Sequence, residues 1–214
     1  MINKKQMLSR VQLYVIADPN ICGAKDICDV VRQAIDGGAE MIQYRDKDSN
    51  DDNFLHTASK LSGICREKGV PFIVNDRVEI ALKMVADGVH VGQEDLSVEE
   101  AKRILGSERI IGKSAETIQQ AKQAEAEGAD YVGIGPVFDT ASKKISQPIG
   151  LDIIRQARES LRIPFFAIGG IDLNNVDQVI QAGGNRIAVI SVLMLSGNIG
   201  LCATKLSAKL KVSF

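Results

Sequence analysis

Apolar clusters recur along the chain at regular intervals, with two alternating kinds of spacing. Short runs rich in β-branched residues predict strands, and longer segments with apolar residues every three or four positions predict helices. Strands are predicted at 12–18, 41–46, 71–76, 88–93, 109–115, 131–136, 164–170 and 186–191. A helix is predicted after each strand, at 24–38, 51–67, 77–86, 97–105, 117–128, 151–161, 173–183 and 197–211.

Eight strand–helix units follow one another without a linker or a break in composition, which predicts a single domain over residues 1–214. Parallel strands joined by helices either close into a (β/α)8 TIM barrel or stay in an open, doubly wound sheet. Eight equal units favour the closed α/β barrel. The long segment at 137–150 has neither pattern, and loops of this length in compact domains are usually functional.

Composition narrows the function classes. Apolar residues make up 45% of the chain, but aromatic residues only 4%, so aliphatic side chains must fill the core, as in strands buried on both faces. The net charge of −1 and the lack of a basic block argue against nucleic acid as a partner. No apolar run is long enough for a membrane span and no signal-peptide pattern is visible, so we expect a cytoplasmic protein.

Cysteine and histidine usage argues against disulfides and against a histidine-rich metal site. The four cysteines lack CxxC spacing and are expected to be reduced thiols. Of the two histidines, His90 lies in the fourth strand and is expected to be a hydrogen-bonded core residue. Any bound cation is therefore expected to be a hard one held by carboxylates.

Polar residues gather at the ends of the predicted strands, where barrels of this kind carry their catalytic groups. Gln43, Arg45 and Lys47 occupy every second position, so strand alternation predicts that they point the same way. Arg and Lys are suited to binding phosphate, although a lone charge at a strand end is often only a surface ion pair. Asn75 and Ser114 end the third and fifth strands.

Asp76 and Asp95 follow adjacent strands, which predicts that their carboxylates lie close together. Two like charges in one place must be protonated, paired with cations or bound to a metal. With phosphate nearby, Mg²⁺ held by these two carboxylates is the simplest solution. The alternative for Asp76 is the N-cap of the helix near Arg77. Glu94 is expected to point away from the site.

A second anion site is indicated further along the chain. Thr140, Ser142 and Lys143 lie in the long loop, and Gly169-Gly170 and Ile190-Ser191 end the seventh and eighth strands. Barrels of this kind often bind phosphate at these strand ends, through backbone N–H groups that glycine lets come close. Two anion sites predict two phosphorylated small-molecule substrates and a group transfer between them.

The chain resembles the thiamine phosphate synthase family over nearly its whole length. The motifs that carry the resemblance, in the family's order and spacing, are LYVIAD, QYRDK, VNDRVEIALKMVADGVHVGQEDL, GKSAET, DYVGIGPVFDTASKK, IGGI and AVIS. The family is a barrel transferase of vitamin B1 synthesis. It joins 4-amino-2-methyl-5-diphosphooxymethylpyrimidine to a thiazole phosphate and releases diphosphate.

The resemblance implies a role for each matching residue. The pyrimidine diphosphate would be bound by Gln43, Tyr44, Arg45, Asp46, Lys47, Asn75 and Ser114, and Mg²⁺ by Asp76 and Asp95. The thiazole phosphate would be bound by Thr140, Ala141, Ser142, Gly170, Ile190 and Ser191, and Lys143 would contact the departing diphosphate. The catalytic set would be Arg45, Lys47, Ser114 and Lys143. In the family the bond to diphosphate breaks first, and the thiazole nitrogen captures the resulting carbocation.

Two residues depart from the family pattern. Glu116 stands where many members have His, and Asp139 stands where Pro is common. Related thiazole tautomerases use a His in the region of Glu116, which argues against that activity here. A tautomerase-like paralogue and a non-catalytic barrel that binds thiamine precursors are the alternatives, and a homo-oligomer is a possible assembly.

Overall fold

The described residues, 4–140 and 147–211, form a closed barrel of eight parallel strands in a computed structural model. The strands are β1 (Leu13–Ala17), β2 (Met41–Tyr44), β3 (Phe72–Asn75), β4 (Gly88–Val91), β5 (Ile110–Ala115), β6 (Tyr131–Ile134), β7 (Phe165–Ile168) and β8 (Ile187–Val189). Each strand pairs with the next, and β8 pairs with β1 to close the barrel. The predicted barrel is confirmed, and the open sheet is wrong.

Helices follow the strands as predicted. They are α1 (Lys4–Arg10), α2 (Pro19–Cys22), α3 (Ile27–Asp36), α4 (Asp51–Lys68), α5 (Val78–Lys83), α6 (Val98–Leu105), α7 (Ile118–Ala126), α8 (Asp152–Ser160), α9 (Val176–Gln181), α10 (Ser191–Met194) and α11 (Ile199–Lys211). The sequence pattern did not predict α1, α2 or α10, because helices of seven or four residues are too short to show a helical period. No helix in this part of the chain is long and apolar enough to cross a membrane.

Both faces of the strands are buried, which explains their nearly continuous apolar sequences. In β1, Leu13, Val15 and Ala17 pack against the surrounding helices, while Tyr14 and Ile16 point into the barrel. Leu8 of α1 is buried against the interior cluster. The barrel interior is therefore a packed core, and this core supports whatever lies above it at the carboxyl ends of the strands.

The turn that follows α5 contains a strained residue whose replacement tests the backbone geometry. Val85 has a φ of 57° and is 65% exposed. A left-handed conformation costs a residue with a Cβ roughly 1–2 kcal/mol, and Gly avoids this cost. We expect Val85→Gly to raise the free energy of unfolding by about 1 kcal/mol in urea denaturation.

The matched control makes the opposite kind of substitution, from Gly to a residue with a Cβ, at the left-handed residue that ends another helix. Gly69 caps α4 with a φ of 69°, and a Cβ added there would meet no atom within 4 Å. Gly69→Ala should therefore lower the free energy of unfolding by about 1 kcal/mol through backbone strain alone. A loss of stability in Val85→Gly would contradict this account of α5.

Candidate functional site

A cavity of about 440 Å³ opens at the carboxyl ends of the strands. Its floor is built from inward-facing residues close to those ends, and each of the eight strands contributes one. They are Ile16, Gln43, Asn75, His90, Ser114, Gly133, Ile168 and Ala188. The polar members come from β2 to β5, so this half of the floor can form hydrogen bonds while the other half is apolar.

The loops that follow the strands form the cavity wall. Eleven residues predicted for the site line this one cavity: Gln43, Arg45, Lys47, Asn75, Asp76, Asp95, Ser114, Thr140, Gly170, Ile190 and Ser191. Glu94 lines it as well, so the expectation that it points away is wrong. Ala141, Ser142 and Lys143 lie outside the described residues. The structure thus brings the predicted residues together, and their roles stay predictions.

Tyr44 and Asp46 are not among the described residues that line the cavity. The Tyr44 side chain lies on the outer side of β2, where its ring packs against Phe54 at 4.6 Å between centroids. Asp46 accepts hydrogen bonds from the backbone N–H groups of Asp48 and Ser49 at 3.1 Å. These two residues shape the loop after β2, and their predicted contact with the substrate stays a prediction.

Strand alternation does not explain why Arg45 and Lys47 reach the cavity, because β2 ends at Tyr44. Arg45 instead forms an ion pair with Asp18, which is almost completely buried after β1. A carboxylate oxygen of Asp18 also accepts the N–H of Asn20 and so caps α2. The guanidinium is therefore fixed by a neighbouring strand end, and sequence reasoning missed Asp18.

Asp76 and Asp95 lie side by side, as the adjacent strand ends predict. Burial raises the pKa of Asp76, and the nearby carboxyl of Asp95, with which it can share a hydrogen bond, raises it further. Lys47 opposes this effect from 3.4 Å, but its side chain is 56% exposed, so solvent screens it. The two carboxylates are thus a donor set that suits a hard divalent cation.

The alternative role of Asp76 as a helix N-cap is wrong. The N-cap of α5 is Arg77, and no side-chain hydrogen bond caps that helix. Asp76 has a φ of 59°, a left-handed conformation that Asp adopts more readily than most residues. Such strain persists where surrounding structure enforces it, and it is common at functional sites.

A hydrogen-bonded chain of side chains runs beneath the polar half of the floor. Gln43 donates to the hydroxyl of Tyr14, which lies 2.8 Å from the hydroxyl of Tyr131. The Tyr131 hydroxyl lies 3.0 Å from His90 Nδ1, and His90 Nε2 lies 3.0 Å from Ser114 Oγ. The chain couples five strands, so Gln43 and Ser114 are held in fixed orientations at the cavity.

Both tyrosines remain hydroxyl groups at neutral pH. Burial raises the pKa of Tyr14, and burial together with Tyr14 raises the pKa of Tyr131. The prediction that His90 is a hydrogen-bonded core residue is confirmed, although it also lies on the cavity floor. Inward positions in the strands could have pointed to the tyrosines, but a buried aromatic residue looks like ordinary core in a sequence.

The opposite wall consists of glycines and the loop after β6. Gly170 has a φ of 64°, and a Cβ there would lie 2.3 Å from the carbonyl oxygen of Asp139. The N–H of Phe138 donates to the carbonyl of Gly169 at 3.0 Å, which ties this loop to the end of β7. Only glycine permits this close approach, so the backbone itself forms this wall of the cavity.

The comparisons with known proteins agree with one another. A family model described as thiamine monophosphate synthase matches residues 13–193. A thiamine-phosphate synthase of Shouchella clausii (strain KSM-K16) is 40% identical over 201 residues, which are 94% of this chain and 96% of that protein. A thiamine-phosphate synthase of Prochlorococcus marinus (strain MIT 9313) is 43% identical over 194 residues, or 90% of this chain.

The chain spans about half the length of that cyanobacterial relative, since the match covers 55% of it. A solved structure, thiamine phosphate pyrophosphorylase from Pyrococcus furiosus, is similar with a TM-score of 0.88 and 37% identity. That similarity covers 99% of this chain and 100% of the archaeal one. The whole barrel, including every segment that lines the cavity, is therefore shared with a protein of that name.

Because the two carboxylates repel each other, we expect the substitution Asp76→Asn to change the stability of the protein in the absence of metal. A raised pKa means that the folded state holds a proton on Asp76 more tightly than the unfolded state does, so this contribution to stability is lost as pH rises through that pKa. At pH 7 without divalent cations, we expect Asp76→Asn to raise the thermal unfolding midpoint. Below about pH 3, where Asp is protonated in both states, the difference should shrink.

The control for this prediction is Asp139→Asn, which removes an exposed carboxylate from the same rim. It should leave the unfolding midpoint nearly unchanged, because an exposed charge contributes little to stability. A fall in the midpoint of Asp76→Asn at pH 7 would show that the Lys47 ion pair outweighs burial and the repulsion from Asp95.

Proposed function

The chain belongs to the thiamine monophosphate synthase family, and on that basis we propose that it is a transferase that makes thiamine phosphate. Its substrates would be 4-amino-2-methyl-5-(diphosphooxymethyl)pyrimidine and a thiazole phosphate, and its second product diphosphate. The observation that carries the proposal is one cavity with two unlike walls. Cations and paired carboxylates form one wall, and a glycine backbone with hydroxyl groups forms the other.

The proposed reaction needs no protein nucleophile. The bond between the methylene carbon and the diphosphate oxygen breaks, and its electron pair leaves with diphosphate. The lone pair of the thiazole nitrogen then forms the new bond to the pyrimidine methylene carbon. Charge gathers on the leaving oxygens, so positive groups aimed at them lower the barrier. Arg45 and Lys47 are suited to this task, and Lys143, outside the described residues, is proposed to share it.

The floor is suited to the pyrimidine. Gln43 and Asn75 have amide groups that can donate and accept hydrogen bonds at a heterocycle, and both are buried at the cavity floor. The Ser114 hydroxyl, held by His90, can donate to the diphosphate end of the same substrate. Because the floor is fixed by the hydrogen-bonded chain, it would orient the reactive carbon before the second substrate attacks.

We propose that Mg²⁺ is held by Asp76 and Asp95. The fit rests on their adjacency, and burial together with the neighbouring Asp95 raises the pKa of Asp76 in spite of Lys47. When bound there, Mg²⁺ would supply positive charge to the diphosphate oxygens. Lys47, next to Asp76, can contact the same diphosphate from the solvent side.

The second wall is suited to the thiazole phosphate. Gly170, Ile190, Ser191 and Thr140 line the cavity and could offer backbone N–H groups and two hydroxyl groups to a ligand. Ala141 and Ser142 are proposed to complete this wall. Phosphate binds well to backbone N–H groups and hydroxyls, and this position in barrels is often a phosphate site. The two substrates would then face each other across the cavity.

A tautomerase-like activity is the second candidate, and the residues favour it less. Glu116 lines the cavity where related tautomerases carry a His. A tautomerase acts on one substrate and has no diphosphate to release, so it has little need for a paired carboxylate site. The two functions differ in one observable, which is whether diphosphate is formed.

The direct test is to mix the purified protein with both phosphorylated precursors and Mg²⁺. We expect thiamine phosphate and diphosphate in equal amounts by mass spectrometry, and loss of both when EDTA is added. A folded protein that binds the precursors but forms neither product would refute the transferase and leave a binding protein. Isomerisation of the thiazole phosphate alone would favour the tautomerase.

The metal ligands are tested by Asp95→Asn, which keeps the shape of the side chain and removes its charge. Loss of a main electrostatic contact to a leaving group typically costs about 10²–10³-fold in turnover, and we expect a loss of that size. Glu94→Gln is the matched control, because Glu94 lines the same cavity but is not a proposed ligand. Turnover of Asp95→Asn equal to that of Glu94→Gln would reject the assigned role.

A further inference from the structure

Lys113 is a buried lysine that the proposed reaction does not use. It lies in β5 between Gly112 and Ser114, and its side chain points outward, away from the cavity. It is 7% exposed, which is rare for a lysine, since this side chain usually keeps its charged end in water. A buried ammonium must find hydrogen-bond partners, so its partners indicate what it stabilises.

The partners of Lys113 belong to the loop that carries Asp95. Lys113 pairs in register with Val91, the last residue of β4, directly below this loop. Its ammonium donates to the carbonyl of Gly92 at 2.7 Å and to the carbonyl of Leu96 at 3.3 Å. These carbonyls lie at the two ends of the segment 92–96, so one cation ties both ends of the loop to the barrel wall.

Within the loop, the Asp95 carboxylate is placed by a second contact. Its Oδ2 accepts the N–H of Gly92 at 2.7 Å, and the N–H of Asp95 lies 3.4 Å from the Gly92 carbonyl that Lys113 also contacts. A Cβ at Gly92 would lie 2.7 Å from Asp95 Oδ2, so a larger residue here would displace this carboxylate oxygen. The carbonyl of Gly92 thus accepts a hydrogen bond from Lys113, and the N–H of Gly92 donates one to the Asp95 carboxylate.

The surroundings of Lys113 indicate that it anchors the loop 92–96 and does not form a simple salt bridge. Among the described residues, no carboxylate lies within 4.0 Å of its ammonium, and the loop carbonyls are its hydrogen-bond acceptors. Beyond the loop, Ser97 and Glu100 form a capping box that fixes the start of α6. The segment 92–96 is therefore anchored at the strand by Lys113 and at the helix by its cap.

We propose that Lys113 is a positioning residue that holds the loop 92–96 so that the Asp95 carboxylate lies next to Asp76, ready to bind a divalent cation. The inference rests on the proposed function, since it concerns the ligand geometry of the same metal site. Residues behind metal ligands orient them, and their loss typically lowers metal affinity about 10–100-fold. Lys113 acts at a longer distance, through two backbone carbonyls.

The test measures metal binding directly, as well as activity. Mn²⁺ serves as the probe, with diphosphate present, and its dissociation constant is read by electron paramagnetic resonance for the wild type, Lys113→Met and Lys113→Arg. Met keeps most of the volume of Lys and removes its donors, whereas Arg keeps charge and donors. We expect Lys113→Met to weaken Mn²⁺ binding about tenfold or more, and Lys113→Arg to recover part of the loss.

Turnover at varied Mg²⁺ provides the second measurement. If Lys113 acts through Asp95, high Mg²⁺ should restore most of the rate of Lys113→Met, because the ligands are present but poorly placed. Deuterium exchange of the amides in 92–96 should also become faster in this variant without metal. A role confined to fold stability would lower the unfolding midpoint and leave both Mn²⁺ affinity and local exchange of the folded protein unchanged, which would overturn the inference.

Two controls separate this inference from the proposed function. Asp95→Asn should lose Mn²⁺ binding whether or not Lys113 has a positioning role. Wild-type protein that binds no Mn²⁺ with diphosphate would refute the metal site and the inference with it. Normal binding in the wild type and in Lys113→Met would refute the inference alone. If Lys113→Met does not fold, Lys113→Gln replaces it, with the same expected direction and the same refuting result.

Discussion

The site depends on the repulsion between two carboxylates that the fold forces together. Asp76 and Asp95 follow neighbouring parallel strands, so they meet at one rim, and burial makes their shared negative charge costly. The exposed Lys47 offsets this charge only partly. A divalent cation held by the two carboxylates would remove this conflict, so the pair that is costly without metal is the pair that would hold the proposed cation.

The rest of the molecule holds this unfavourable pair in place. The packed barrel interior supports a floor to which each strand gives one residue, and the Tyr14–Tyr131–His90 chain fixes the polar half of that floor. Asp76 itself adopts a left-handed backbone. Strain and charge repulsion at a site are tolerated where the surrounding core is well packed, and they are the usual cost of a preorganised site.

The sequence was sufficient to predict the fold and the end of the barrel at which the site lies. Eight repeated strand–helix periods are a long-range signal, and parallel strands bring their carboxyl ends to one rim whatever the local detail. It was not sufficient to predict which side chains contact one another at the site. The end of β2 at Tyr44 was missed by two residues, and the dependence of Arg45 on Asp18 was missed as well. A contact between side chains of two different strands leaves no local pattern in the sequence.

The central proposal is that Asp76 and Asp95 hold a divalent cation when diphosphate is present. A crystal of the protein grown with Mn²⁺ and diphosphate, with anomalous diffraction measured at the manganese edge, tests this claim most directly. The account predicts one strong manganese peak within coordinating distance of both carboxylates and of diphosphate oxygens. A peak elsewhere, or bound diphosphate held by Arg45 and Lys47 with no manganese beside it, would contradict the account.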